Sequence, residues 1–238
     1  MNPTWAALTR SSSTIRASPY FVEDSILSSP IGPLVSPIMG SDMDKCVQKR
    51  FIFSSTKLSA LKSSIGMQNV TSSEAVSALL YKCAAFSAIT NNSGNIFSIF
   101  SSPIYHKKEE LKLSKLVADI KKSKNNLSTR KNVEENELAI EMLDAYRTGE
   151  SIFHKRKCDV YSSSSLCKFP FIQDLDFGFG KPIRASMAKG PFNKAMFLMR
   201  TNDGGIEALV NLNEEEMSVF EHDEHLLQFA APVNYEQQ

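Results

Sequence analysis

Two short apolar runs near the end of the chain, residues 195–200 (AMFLMR) and 206–212 (IEALVNL), are separated by a turn containing Asn202-Asp203-Gly204-Gly205. Runs of this length and composition read as strands, and a Gly-rich Asn/Asp connection supplies the positive-φ positions that a tight reversal needs. The pair is therefore a β-hairpin, which commits the end of the chain to a sheet. Most of the sequence ahead of it carries helical periodicity, so the fold class is α/β with strands concentrated at the end.

The preceding elements follow from period and punctuation. Val47, Phe51, Ile52 and Phe53 mark a strand over 46–53. Ser54 or Ser55 caps a helix with Leu58, Leu61 and Ile65 on one stripe, and Thr71 and Ser72 precede a second with Glu74 in its first turn, where a carboxylate suits the helix dipole. The apolar set of that second helix is Val76, Leu79, Leu80, Cys83 and Phe86. Residues 95–104 read as a strand, and 108–124 and 133–148 as helices, the first carrying Leu111, Leu113, Leu116, Val117 and Ile120. Strands are expected over 159–169 and 183–187, and a closing helix over 214–229 with Met217, Phe220 and Leu227 facing inward. Ahead of all this, 3–10 reads as a short helix. Residues 11–37, with Pro19, Pro30, Pro33 and Pro37, read as a linker or a segment wrapped over a surface.

Composition narrows the function classes. No apolar run approaches the roughly 18 residues that span a bilayer, and a net charge of +1 gives no global reason to expect nucleic acid. Cys46, Cys83, Cys158 and Cys167 form no CxxC pair, a usage that fits reduced thiols in the cytoplasm. Residues 107–131 hold nine Lys/Arg against three Asp/Glu, whereas 201–238 hold nine acids and no Lys or Arg. A basic helix face of this kind is ordinarily a solvated surface; its alternatives are binding a phosphate-bearing ligand such as coenzyme A, or the acidic tail of the same molecule. Stacking on nucleic acid is disfavoured because no aromatics interleave with the basic residues. The first 22 residues have Arg10 and Arg16 and no acid, the composition of a transit peptide, although Trp5, Ala6, Ala7 and Leu8 equally suit a folded helix.

One block stands apart. Asp176-Phe177-Gly178-Phe179-Gly180-Lys181-Pro182 places two glycines around an aromatic and closes on a proline, so the backbone is free for positive φ and then barred from helix. With the Ser165-Leu-Cys-Lys-Phe-Pro170 run ahead of it, it resembles the Trp-Cys-x-Phe-Pro and Asp-Phe-Gly-Trp-Gly-Lys-Pro blocks of BAHD-type, acyl-CoA-dependent acyltransferases. Leu166 and Phe179 stand where those blocks carry tryptophan. The stretches Asp203–Leu212, Met217–Phe229, Lys49–Ser54, Ser77–Cys83 and Trp5–Arg10 are similar to further family blocks in the same order. The last of these favours the folded-helix reading of the N-terminus over the transit peptide.

The resemblance implies the C-terminal domain of the chloramphenicol acetyltransferase-like fold, a mixed sheet with flanking helices, over 41–238. Residues 1–40 would be the remnant of an N-terminal domain and crossover linker. It implies acyl-CoA as co-substrate with no bound cofactor, a small-molecule acceptor among plant secondary metabolites such as alkaloids, and a monomer. It gives the Asp176–Pro182 block a structural role and the catalytic base to the histidine of a His-x-x-x-Asp motif. None of His106, His154, His222 and His225 has aspartate four positions later. The motif is expected ahead of Met1, so no residue of this chain is assigned a catalytic role. Relatives also have a strand with an arginine and a proline-rich segment where this chain runs from Ala88 straight to Ser93-Gly94-Asn95, so a strand and loop are expected to be missing near 90–95, with Asp176 losing a charge partner. His222 and His225, at i and i+3, have a spacing that can hold a metal, but more simply belong to a solvated acidic helix face. No Gly-x-Ser-x-Gly elbow or Gly-rich phosphate loop occurs. The alternative to an acyltransferase is a non-catalytic fragment, a binding partner or an incomplete gene product.

Overall fold

A computed structural model describes residues 46–88, 94–97, 111–128, 159–169, 178–180, 182, 184–187 and 193–233. In chain order they form β1 (Cys46–Phe53), α1 (Ser55–Ile65), α2 (Ser72–Ser87), β2 (Gly94–Phe97), α3 (Leu113–Ser128), β3 (Asp159–Ser165), β4 (Ala195–Arg200), β5 (Ile206–Asn213), α4 (Glu214–Phe220), α5 (Glu224–Leu227) and β6 (Ala231–Pro232). The strands make one six-stranded sheet in the order β2-β3-β4-β5-β1-β6. The β2–β3 and β3–β4 pairs are parallel and the β4–β5, β5–β1 and β1–β6 pairs antiparallel, so the sheet is mixed.

The centre of this sheet is β5, buried along almost its whole length between β4 and β1. Its register sets Phe51 opposite Ala208 and Phe53 opposite Ile206. Strand alternation then sends Phe51, Phe53, Ile206, Ala208, Val210, Leu212, Met196 and Leu198 to one face. There they meet Leu58, Leu61 and Ile65 of α1, Leu79, Leu80 and Cys83 of α2, Leu116 and Val117 of α3, Met217 and Phe220 of α4, and Leu226 of α5. Phe220 stands edge-on to Phe51 with ring centroids 5.4 Å apart. All the described helices therefore cover a single face.

Helices α1, α2, α4 and α5 start where the sequence offers a cap. The Ser54 hydroxyl accepts the Lys57 N–H at 3.3 Å, and α1 ends at Gly66 with φ +69. The Thr71 hydroxyl accepts the Glu74 N–H at 3.3 Å while the Glu74 carboxylate accepts the Thr71 N–H at 3.0 Å, a reciprocal capping box. Lys124 of α3 reaches the same carboxylate at 3.1 Å. Burial pushes the Glu74 pKa up, but the Thr71 N–H, Lys124 and the Thr71 hydroxyl outweigh it and hold the carboxyl below its usual value.

The hairpin turn is equally determined. Gly204 has φ +82, and the Asp203 carboxylate accepts the Thr201 hydroxyl at 2.5 Å and the Gly205 N–H at 3.4 Å. At Gly205 space, rather than torsion, demands glycine. A Cβ there would lie 2.5 Å from the Phe53 carbonyl oxygen and 2.8 Å from the Thr201 hydroxyl.

Several sequence expectations need correction. The helix expected over 108–124 begins at Leu113 and runs to Ser128; Leu111 is buried, but in the approach to the helix. The strand expected over 159–169 ends at Ser165, where a turn closed by Phe169 N–H to the Leu166 carbonyl begins. Residues 184–187, expected as a strand, have no ladder partner among the described residues; Ala185 and Ser186 bond instead to the Arg50 side chain. The single closing helix is two, because the Asp223 carboxylate captures the Leu226 N–H at 3.0 Å and starts α5 afresh, the competition with helix continuation that short polar side chains offer. The restart turns Leu226 inward and leaves Leu227 exposed, the reverse of the inward position expected for Leu227. Strand β6 carried no periodic signal; it is two residues long, with Pro232 on the outer edge of the sheet, where a missing N–H costs nothing. The expected elements at 3–10, 11–37, 98–104 and 133–148, and the domain remnant over 1–40, lie outside the described residues.

Replacing Gly205 with alanine is expected to cost about 1–3 kcal/mol, the range for forcing atoms into filled space, measured as a lower denaturation midpoint. Glu74 gives a pH signature. Because its folded pKa is lowered, its contribution is complete above the unfolded value of about 4.3 and is lost as pH falls through the folded one. Glu74→Gln should therefore lower stability at neutral pH and flatten the acid limb of a urea-midpoint curve; an acid limb as steep as wild type would contradict this.

Candidate functional site

Gly178 and Gly180 of the Asp176–Pro182 block have φ of +97 and +113, conformations that residues with a Cβ rarely adopt. Nothing lies within 4 Å of a Cβ built at Gly180, so its constraint is torsional. Phe179 between them is 90% exposed and turned away from the core. Asp176, Phe177 and Lys181 lie outside the described residues; Pro182 is half-buried. The described part of the block is a bend with no acid, base or nucleophile in it.

Beyond the turn, residues 184–187 are anchored on the face of the sheet opposite the helices. The register puts Arg50 opposite Leu209 and Ile52 opposite Glu207, making Arg50 and Glu207 diagonal neighbours on that face. Both are buried, and Arg50 Nη1 donates to Glu207 Oε1 in an ion pair. The guanidinium also donates from Nη2 to the Ser186 hydroxyl at 2.7 Å and from Nη1 to the Ala185 carbonyl at 3.4 Å. Arg184 Nε sits 3.6 Å from the other Glu207 oxygen. Further along the same face, Gln48 donates to Asn211 Oδ1 at 3.1 Å, and Asn211 donates to the Ala195 carbonyl at 3.3 Å. The sheet thus has one hydrocarbon face and one bearing a polar network. The bonds from Arg50 take the place of a strand ladder for 184–187.

The remaining candidates are structural. His222 Nδ1 lies 2.8 Å from the Ser218 carbonyl oxygen, on the exposed surface. His225 packs edge-on against Phe229, and burial, with Lys82 nearby, pushes its pKa down against the opposing pull of Asp223. The described residues contain no group of three metal-ligating side chains, so the His222–His225 spacing does not become a metal site among them. His106 and His154 lie outside the described residues. The Cys83 thiol donates to Asp223 at 3.5 Å, and burial together with that carboxylate pushes its pKa well up, so it stays protonated and unreactive.

The basic stretch and the serine run have similar explanations. Lys121 donates to the carbonyls of Gln68 (3.0 Å) and Asn69 (2.7 Å), and with Lys124 on Glu74 these lysines dock α3 on the start of α2. Ser163 and Ser165 pair with Ser77 and Ser73 of α2, each at 2.9 Å, while the Tyr161 hydroxyl donates to the Ala84 carbonyl at 3.2 Å. These hydroxyls hold β3 to α2. At the start of β4, Lys194 adopts φ +55 and pairs with Glu216 at 3.0 Å. Sequence reasoning passed over the polar face and this pair. The available signal was a charged residue inside each of two apolar strand runs, Arg50 in RFIF and Glu207 in IEALV.

Residues 90–227 match the family model described as Transferase family. The chain belongs to the BAHD acyltransferase family. It is 36% identical over 259 residues to acyltransferase Pun1 of Capsicum frutescens, covering 95% of this chain and 58% of that protein. It is 34% identical over 262 residues to akuammiline synthase 1 of Alstonia scholaris, covering 95% and 59%. It therefore spans less than two thirds of the length of these relatives. Both matched stretches exceed this chain's 238 residues, so each relative carries residues inside the aligned region that have no counterpart here. The crystal structure of vinorine synthase superposes with a TM-score of 0.69 at 20% identity, covering 95% of this chain and 57% of that one. The structure of F. sporotrichioides TRI101 complexed with coenzyme A and T-2 superposes with a TM-score of 0.60 at 16% identity, covering 98% and 64%. The fold is that of the coenzyme-A-dependent acyltransferases, and among the described residues no helix is long and apolar enough to cross a membrane.

Of the three described cysteines (Cys158 lies outside the described residues), maleimide labelling of the native protein at neutral pH should modify the half-exposed Cys167 first and spare Cys46 and Cys83 until urea unfolds the sheet. Peptide mapping that finds Cys83 modified as fast as Cys167 would overturn the inert-thiol assignment.

Proposed function

We propose that this chain is the C-terminal part of an acyltransferase that moves an acyl group from coenzyme A to a hydroxyl or amine of a plant secondary metabolite, with alkaloids a favoured class, and that it does not turn over by itself. The carrying observation is the run of family blocks along the chain beside four histidines of which none has the His-x-x-x-Asp form. The reaction needs a base to take the acceptor's proton and donors for the oxyanion formed at the thioester carbonyl; the C–S bond then breaks and the departing thiolate is protonated. Neither described histidine is placed for this. His222 lies against the Ser218 carbonyl on the exposed surface and His225 against Phe229. The base comes instead from a segment of the assembled enzyme carrying that motif.

The Asp176–Pro182 block serves as a structural element rather than a catalytic one. A strand and loop are missing near 90–95, a reading supported by matched stretches longer than this chain and by the short run from Ala88 to Gly94 at the start of β2. The alternative, a non-catalytic fragment or binding partner, is favoured by the want of a His-x-x-x-Asp form at any of the four histidines of this sequence. The protein acts as a monomer in the cytoplasm.

Thiol release from acetyl-CoA with an alkaloid alcohol should be undetectable for the chain alone and appear when a separately expressed N-terminal half of a relative is added. Turnover by the chain alone would sink the assignment of the base to another segment. Binding of the two halves without turnover would favour the non-catalytic alternative.

A further inference from the structure

We propose that Arg50 is the positioning residue of the signature turn, a latch that fixes residues 184–187 against the face of the sheet opposite the described helices, with Glu207 setting the direction of its guanidinium. The need for a latch arises from the turn itself. Gly178 and Gly180 sit at φ values that place no Cβ in the way, and glycine has the widest choice of backbone conformation of any residue. Two such glycines leave open where the next residues go. Nor does a ladder dictate it, because 184–187 pair with no strand among the described residues.

Arg50 supplies what the backbone does not. Its strand β1 is held by β5 on one side and β6 on the other, so the guanidinium projects from a rigid base. One nitrogen serves Glu207 and the Ala185 carbonyl, and the other serves the Ser186 hydroxyl. That planar fork addresses three acceptors in fixed directions, which a single ammonium nitrogen on a flexible stem does not reproduce. Arg184 approaches the second Glu207 oxygen at 3.6 Å, so the one buried carboxylate joins the latch and the segment it secures. The assignment does not depend on whether the chain is catalytically competent.

Limited proteolysis read by mass spectrometry tests it, with an internal control. Chymotrypsin should cut after the exposed Phe179 at similar rates in every variant, whereas trypsin should cut after Arg184 slowly in wild type. Removing Arg50 alone strands a buried carboxylate, so the main variant is the double R50M/E207L, which removes both charges. In it, cleavage after Arg184 should rise about tenfold or more, as expected when a local opening equilibrium loses its anchoring contacts, while hydrogen exchange in the β4–β5 hairpin stays as in wild type. R50K should cleave like the double variant, because lysine does not restore the fork. S186A, at an exposed position, should show a smaller rise and keeps the test informative if the sheet variants do not fold. Wild-type cleavage after Arg184 in folded R50M/E207L or R50K, or in S186A where neither folds, would overturn the proposal.

Discussion

The pairing of β1 with β5 is the constraint on which the rest of this structure depends. Eight residues run against eight in one register, from Cys46 opposite Asn213 to Phe53 opposite Ile206. Because successive side chains in a strand alternate faces, a slip of β1 by one position would send Phe51 and Phe53 away from the helices and bring Arg50 into the hydrocarbon, away from Glu207. A buried guanidinium and carboxylate are tolerated only with their hydrogen-bonding capacity met. The polar face therefore acts as a register key, since only the observed alignment gives Arg50 both Glu207 and the returning segment at Ala185 and Ser186.

Such an arrangement separates identity from activity. The Asp176–Pro182 block is the most recognisable stretch of the sequence, yet the part described is two glycines, an outward phenylalanine and a half-buried proline. Its specificity is that of a backbone shape. Several described groups with chemical potential are occupied: Cys83 by burial and Asp223, Lys121 by two carbonyls, and Lys124 by the α2 capping box.

Much of this was legible in the sequence where the cause is local. Strand β1, both helix starts at Ser54 and Thr71, and the β4–β5 hairpin follow from capping residues, period and turn chemistry within a few positions of one another. The failures have distant or competing causes. Asp223 is one polar residue that outbids a continuous helix, and the error propagates to the choice of Leu227 over Leu226. Residues 184–187 have strand-like neighbours but bond to Arg50, more than 130 positions earlier. No window on the chain contains that partner. Of the candidate site, the glycines' torsional demand was readable, but the polar network was not, because it exists only once β1 and β5 lie side by side.

The hydroxyl pairs between β3 and α2 have a consequence for how this sheet comes apart. The helices meet the centre of the sheet through hydrocarbon, but Ser163 and Ser165 meet Ser77 and Ser73 through oxygen. Water can replace such a contact at little net cost. Separating that end of β3 from its helix exposes little apolar surface, and the heat capacity and denaturant sensitivity of an opening scale with the surface exposed. Opening at this seam would therefore be nearly invisible to urea, whereas opening at the Phe51–Phe220 contact would carry the strong temperature curvature of a melting core.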